Sequence, residues 1–192
     1  MPVYPGDIRT NLFQVSYLSV NGYNSYRLDI TSHAGTHVDS PMHLTESNRY
    51  ICESSLELFI GQGCVLDVRN QPVIKMKEEY EKVVKERSIV LLYTGCDKIY
   101  GTAEYYREHP VVDMNLCRFL VSKKIKMLGI DFPSPDKYPF PVHKLLFENG
   151  IHILENLTNL DKLLNVQNFE VIAFPLKIRA DSSIVRAVAR IM

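Results

Sequence analysis

The 192-residue sequence predicts an α/β or α+β fold built on a mixed sheet. Two observations lead there. Short runs rich in Val, Ile, Leu and Tyr interleave along the chain with stretches of helical spacing. Hydrophobic residues make up 46% and charged residues 23%, the balance of a chain that buries an ordinary core. No internal repeat, low-complexity tract or linker interrupts the pattern, so residues 1–192 read as one domain.

Taken in order, Pro2, Pro5, Gly6 and Asp7 make residues 1–13 an extended arm with a turn. Strands are expected at 14–18 and 26–30, around the turn Asn21-Gly22-Tyr23-Asn24. The second alternates Tyr26, Leu28 and Ile30 with Arg27 and Asp29, the period of a half-buried strand. A short helix is expected at 54–60 and a strand at 64–68. Tyr80, Val83 and Val84 among charged neighbours predict a surface helix over 77–87. Ser88–Tyr93 reads as a buried strand. Asp113 is placed to cap a helix from Met114 to about Lys124, with Leu116, Phe119 and Leu120 on one face. Lys126–Asp131 is a further strand, ending at two prolines. Pro141 starts a helix that runs to Asn149, and Gly150 stops it. Strands at 151–155, 169–178 and 184–191 complete the chain.

The segment from His33 to His43, His-Ala-Gly-Thr-His-Val-Asp-Ser-Pro-Met-His, is the densest concentration of chemistry. It holds three of the six histidines and one aspartate. Imidazole nitrogen and carboxylate oxygen are the ligands that borderline divalent metals prefer. His33 and His37 stand four apart, the spacing of a helical zinc site, but Gly35 and Pro41 oppose a helix. The segment is therefore expected to be a loop or extended turn whose side chains converge by folding. His33, His37 and Asp39 make a three-ligand set that leaves a position open to water, the mark of a catalytic site. His43 stands as a fourth ligand or a free acid/base group. A lone histidine in such a loop is more often structural; three with an aspartate favour metal.

The remaining candidates are weaker on their own. His143 lies early in the 141–149 helix and Glu155 at the end of the next strand, so a helix–turn–strand unit can bring both to one sheet edge. His152 falls on a sheet face, His109 has no evident partner, and Asp131 either caps a turn or orients a ligand. Cys52, Cys64, Cys96 and Cys117 lack any Cys-x-x-Cys pair and read as reduced packing thiols. Lys plus Arg equals Asp plus Glu, 22 against 22, which gives no footprint for nucleic acid or an anionic membrane. No apolar run approaches a membrane span, and the first residues lack the basic start and apolar stretch of a signal peptide. The expected location is the cytoplasm.

The His33–His43 segment resembles the His-x-Gly-Thr-His-x-Asp-x-Pro-x-His signature of the cyclase superfamily, to which bacterial kynurenine formamidases and isatin hydrolases belong. Tyr4-Pro-Gly-Asp is similar to that family's aromatic-Pro-Gly-Asp turn. Gly129-Ile-Asp-Phe-Pro-Ser resembles its Gly-Ile-Asp-x-Pro-Ser segment. His143, Asn149-Gly150 and Ile153-Leu-Glu155 resemble its downstream His…Asn-Gly…Leu-Glu pattern, and Pro175-Leu-Lys and Val185-Arg-Ala-Val its last strands. The resemblance implies a swivelling β/β/α fold with a mixed, barrel-like sheet and flanking helices. It implies two divalent ions per chain, zinc or alternatively manganese. His33, His37 and Asp39 would hold the first, and Asp39, His143 and Glu155 the second. His43 would be the acid/base residue and Tyr4 a substrate contact. A homodimer with N-terminal segments reaching across to the partner, or a higher homo-oligomer, is also implied.

The reaction that follows is hydrolysis of a C–N amide bond, in an arylformamide such as N-formylkynurenine or a related amide. Two cations lower the pKa of a shared water, and His43 moves the proton to the departing nitrogen. Opening of an isatin-type lactam is the alternative. A non-catalytic metal- or metabolite-binding protein of the same fold is the reading from a different class; loss of His43 would be its signature, and His43 is present. Two departures bear on substrate. Tyr4 and Phe132 stand where the related formamidases carry Trp and commonly Thr, and Phe132 is expected to reshape the pocket.

Overall fold

The computed structural model describes residues 1–192. Strand β1 (Asn11–Ser16) and β2 (Ser25–Asp29) form an antiparallel hairpin around the one-turn helix α1 (Leu18–Asn21). Strand β3 (His37–Asp39) follows, and then a 3₁₀ turn at Pro41–His43. Two more 3₁₀ turns, Ile51–Glu53 and Leu56–Phe59, stand where one helix over 54–60 was expected. Next come β4 (Ile60–Asp67), β5 (Val73–Ile74), α2 (Tyr80–Val83) and β6 (Ile89–Tyr93). The chain continues through α3 (Ala103–Arg107), β7 (Val111–Val112), α4 (Met114–Ser122) and β8 (Met127–Ile130). It ends with α5 (Pro141–Glu148), β9 (His152–Glu155), β10 (Phe169–Ile172), β11 (Ser182–Ile184) and β12 (Val188–Ile191).

Eight strands make the main sheet, in the order β11-β3-β9-β8-β6-β4-β10-β12. The middle of the sheet, β4, β6, β8 and β9, is parallel; the outer strands join antiparallel. This is the expected mixed sheet, and its curl has a geometric cause. Strands β11 and β12 sit at opposite edges, yet Ile184 and Val188 are four residues apart, a reach of roughly 14 Å at most. Flat, the sheet would separate those edges by roughly 34 Å. It therefore rolls into a half-barrel.

Side chains alternate between the faces. Leu66, Val90, Leu92, Leu128, Ile130 and Ile153 pack under α4 and α5, against Leu116, Leu120, Val142, Leu146 and Phe147. Val38, Leu91, Met127 and Leu154 point the other way, into the curl, against Phe59, Leu160, Leu163 and Phe169. Asp113 caps α4 as expected, accepting from the Asn115 amide at 2.8 Å. Gly150, at φ +70, ends α5 where a residue with a Cβ would be strained.

Three expectations are corrected. The 77–87 helix is only the single turn of α2, because Tyr80 and Val84 alone are buried and a charged segment without a packed face does not sustain a helix. The single strand at 184–191 is two, β11 and β12, on opposite edges. The strand from 169 stops at Ile172, ahead of Pro175. The hairpin of β1 and β2 shares no core with the sheet, and it leaves Leu12, Phe13, Val15, Tyr26 and Leu28 exposed.

Candidate metal centre

The His33–His43 segment is not the loop its glycine and proline suggested. Residues 37–39 are an inner strand, paired with β9 on one side and β11 on the other. The period of two puts His37 and Asp39 on one face with Val38 in the core between them. Register does the rest: His37 stands opposite Glu155 and Asp39 opposite Ile153, so Glu155 joins His37 and Asp39 on the side covered by α5. His143 comes down from α5, one turn before Leu146 and Phe147 on the same buried face. Gly35, at φ +66, lets His33 fold back above the strand.

The resulting distances are short. His33 Nδ1 lies 2.9 Å and His37 Nε2 3.3 Å from Asp39 Oδ1. His37 Nε2 is also 3.4 Å from Glu155 Oε2, and His143 Nε2 is 3.6 Å from Glu155 Oε1. His33, His37 and Asp39 form one group with ligand atoms within 4.8 Å of one another, and Asp39, His143 and Glu155 form a second. Asp39 belongs to both. His37, Asp39, His143 and Glu155 are all buried.

Other groups fix the rings. His37 Nδ1–H donates to the Gly35 carbonyl at 2.8 Å, which leaves Nε2 as its bare nitrogen. His143 Nδ1–H donates to Asp136 Oδ1 at 2.5 Å and leaves Nε2 toward Glu155. Asp181 Oδ2 accepts from His33 Nε2 and from His43 Nδ1, each at 2.9 Å. Asn156 donates to the Gly35 carbonyl at 3.0 Å and accepts from the Tyr105 hydroxyl at 2.6 Å.

Carboxylates at the site outweigh the effect of burial on its histidines. Burial works against a charged His37, yet Asp39 and Glu155 hold its pKa above the usual value. Burial opposes the charge on His33 and His143 as well, but Asp181 and Asp39 push His33 up to about 10, and Asp136 and Glu155 push His143 up to about 9. Asp39 is held well below the carboxylate range by His37 and His33 against its burial. Burial and the neighbouring Asp39 drive Glu155 upward. Two carboxylates pushed apart at one site mark a place built for positive charge. The fit to a cation is direct: His37 Nε2, Asp39 Oδ1 and Glu155 Oε1 are buried without a hydrogen-bond partner, and all three face the same space. A divalent ion that takes nitrogen and oxygen ligands satisfies them together.

A cavity of about 700 Å³ opens onto this cluster. Tyr4, Tyr100, Tyr106 and Phe140 line it, with Arg107, His109 and Lys137. Tyr4 meets Tyr106 edge to face at 5.5 Å. Phe132 does not reach the cavity, contrary to expectation. It is fully buried and stacks on His109 at 6.2 Å, so it bears on the pocket through that ring. Asp131 caps the turn after β6, accepting from the Thr94 and Gly95 amides. His152 lies on the opposite face and takes no part. The four cysteines are unpaired.

Sequence reading missed Asp136 and Asp181. Asp136 had a local signal: Phe140 offers no side-chain cap to α5, and Asp136 caps it instead through the Val142 amide at 2.6 Å. Asp181 had none, since only the pairing of β11 with β3 brings it to His43 across 138 residues.

A mixed half-barrel with imidazoles and carboxylates converging on one buried point defines a metal-dependent hydrolase. Comparison with known proteins gives the family: the one described as "Putative cyclase" matches residues 1–137, and the chain belongs to it. The kynurenine formamidase of Bacillus mycoides (strain KBAB4) is 32% identical over 194 residues, covering 97% of this chain and 90% of that protein. That of Geobacillus thermodenitrificans (strain NG80-2) is 32% identical over 200 residues, covering 100% and 92%. Among solved structures, isatin hydrolase A from Labrenzia aggregata superimposes with a TM-score of 0.84 at 24% identity, over 98% of this chain and 87% of that one. A structure described as a potential metal-dependent hydrolase with cyclase activity gives 0.78 at 25% identity, over 97% and 90%.

Proposed function

We propose that this chain hydrolyses the C–N bond of an amide, with an arylformamide of the N-formylkynurenine kind as the leading substrate class. The observation that carries the reading is that three buried atoms, His37 Nε2, Asp39 Oδ1 and Glu155 Oε1, lack a hydrogen-bond partner beside an aromatic-walled cavity lined by His37 and Glu155. In this reading His33, His37 and Asp39 would hold one ion, and Asp39, His143 and Glu155 would hold a second. Zinc suits the three imidazoles, with manganese as the alternative where carboxylates share the load. A divalent cation there polarises a carbonyl oxygen and lowers the pKa of water.

The chain's own residues do the remainder. Tyr4 and Tyr106 form an apolar, aromatic wall against which an aryl ring stacks. His43, at the cavity wall, would take the proton that the attacking water gives up and pass it to the departing nitrogen through Nε2, because Nδ1 is engaged by Asp181. Burial of the cluster keeps bulk water from screening these charges. Kynurenine formamidases at 32% identity favour the open-chain formamide. A cyclic amide of the isatin type presents the same bond and belongs in the same assay.

The rest of the reading concerns assembly. Residues 1–192 act as one hydrolase unit. The hairpin of β1 and β2 exposes Leu12 at 65% and Val20 at 79%, apolar surface that a lone two-stranded hairpin does not carry into water. A second copy of the chain covers it, giving a homodimer. No helix is long and apolar enough to cross a membrane, and four unpaired cysteines suit the reducing cytoplasm.

The test is metal content per chain by plasma mass spectrometry, on protein purified without chelator or metal-affinity tag, followed by turnover of formanilides and lactams. About two ions per chain with amide hydrolysis supports the reading. One ion confines the site to His33, His37 and Asp39. No metal after reconstitution overturns it.

A further inference from the structure

We propose that Asp181 is a positioning residue that sets the tautomer and ring orientation of His33 and His43 together. The proposal rests on the hydrolase reading above. One carboxylate oxygen, Asp181 Oδ2, is 2.9 Å from His33 Nε2 and 2.9 Å from His43 Nδ1. An ionised carboxylate only accepts, so both nitrogens must carry the hydrogen. The consequence for each ring is fixed. His33 then has Nδ1, the atom 2.9 Å from Asp39 Oδ1, as the nitrogen that gives up its proton to an entering ion. His43 is left with Nε2 bare, facing the substrate cavity.

Asp181 is itself held in place. Its backbone carbonyl accepts from the Ser40 amide at 3.0 Å and the Ser40 hydroxyl at 2.7 Å. The next residue, Ser182, pairs with Asp39 across β11 and β3. The Ser182 hydroxyl lies 2.9 Å from His33 Nε2 and 3.3 Å from Asp181 Oδ1. The carboxylate thus hangs from the strand beside the one that carries Asp39. Any movement of β11 is felt by His33 and His43 at once. The two rings are 4.3 Å apart, tilted at 43°, an arrangement that two nitrogens sharing one acceptor oxygen produces. His143 has a carboxylate of its own in Asp136. On the nitrogens turned away from the cluster, His33 and His43 share one between them.

A carboxylate on the far nitrogen of a ligating imidazole fixes its ring, and its loss typically costs 10–100-fold in metal affinity. A carboxylate on the far nitrogen of a catalytic imidazole fixes its tautomer, and its loss lowers kcat by up to about 10⁴. Asp181 does both, so one substitution acts on two measurable quantities.

The experiment compares wild type with Asp181→Asn and Asp181→Ala. Long-range proton–nitrogen correlation spectra of metal-free protein labelled at histidine report each ring's tautomer. Chelator competition gives the zinc affinity, and formanilide hydrolysis gives kcat and KM. The expected result is Nδ1–H His43 in wild type, lost in both variants, with zinc bound roughly 10–100-fold more weakly and kcat lowered at near-constant KM. An unchanged His43 tautomer with unchanged zinc affinity overturns the proposal. Loss of zinc in the variants with the His43 tautomer intact also overturns it, because Asp181 would then be a ligand. Because Asp181→Asn keeps the shape of the side chain, it covers the case in which the alanine variant fails to fold. Wild-type protein that binds zinc and hydrolyses no amide would sink the hydrolase reading alone. The tautomer comparison, made without metal, would still decide Asp181.

Discussion

His152 is expected to make this protein acid-labile by an amount that can be worked out. The ring lies on β9, on the face turned into the curl, edge to face with Phe59 at 4.9 Å. Its Nε2 is 3.1 Å from Ser54 Oγ, and its Nδ1 has no hydrogen-bond partner. Burial lowers its pKa from 6.5 to about 4. The sign follows. The unfolded chain takes up a proton at His152 near pH 6.5, and the folded chain does so only near 4. Stability tied to this ring is therefore complete above 6.5 and is lost as pH falls through that interval. At about 1.4 kcal/mol per tenfold, the full loss is about 3 kcal/mol, and roughly 2–3 kcal/mol is gone by pH 4.5. The perturbation is His152→Leu, which removes the titrating group and keeps an apolar filling. Urea unfolding followed by circular dichroism, in chelator, gives both stabilities from pH 7.5 to 4.5. Titrations common to both proteins cancel in the difference. The wild type should lose about 2–3 kcal/mol more than the variant over that range. Two curves that stay parallel would refute the burial argument.

Three further outcomes are expected. Asp39→Ala should abolish both ion positions while Glu155→Gln removes only the second, read as metal per chain; equal loss in the two variants would contradict the assignment of Asp39 to both groups. His43→Ala should retain its metal and lose about 10²–10⁴-fold in kcat, and normal turnover would end the acid/base assignment. Metal-free His33 and His143, raised to about 10 and about 9, carry protons at neutral pH that an entering ion must displace. Zinc affinity measured by chelator competition should therefore rise from pH 6 to pH 8, and a flat dependence would mean these rings do not ligate.

Much of this could be read from residue types, and the parts that could not share a cause. Asp113 and Gly150 announced the ends of α4 and α5 because capping is local chemistry. His37 and Asp39 are conspicuous by type, but Gly35 and Pro41 mask their two-residue spacing, and the sequence alone reads this inner strand as a loop. His143 and Glu155 were unremarkable singly; the β3–β9 register and the buried face of α5 unite them, and neither is visible in composition. Asp181 was invisible because the contact that matters spans 138 residues. The segment at 77–87 had helical spacing without a surface to pack on, which periodicity alone does not disclose.

The placement of β11 and β12 on opposite edges of the sheet also has a consequence for synthesis. The strand that carries His37 and Asp39 lies between β9 and β11, so it has both neighbours only after residue 184 exists. A nascent chain halted at 160 would display the whole His33–His43 segment yet have no strand beside Asp39 on one side and no carboxylate for His43. Capture of an ion in the geometry of the finished protein is thus deferred until nearly all of the polypeptide has been made. A chain nicked or truncated before Asp181 should be recognisable by weak, disordered metal binding rather than by a partial activity.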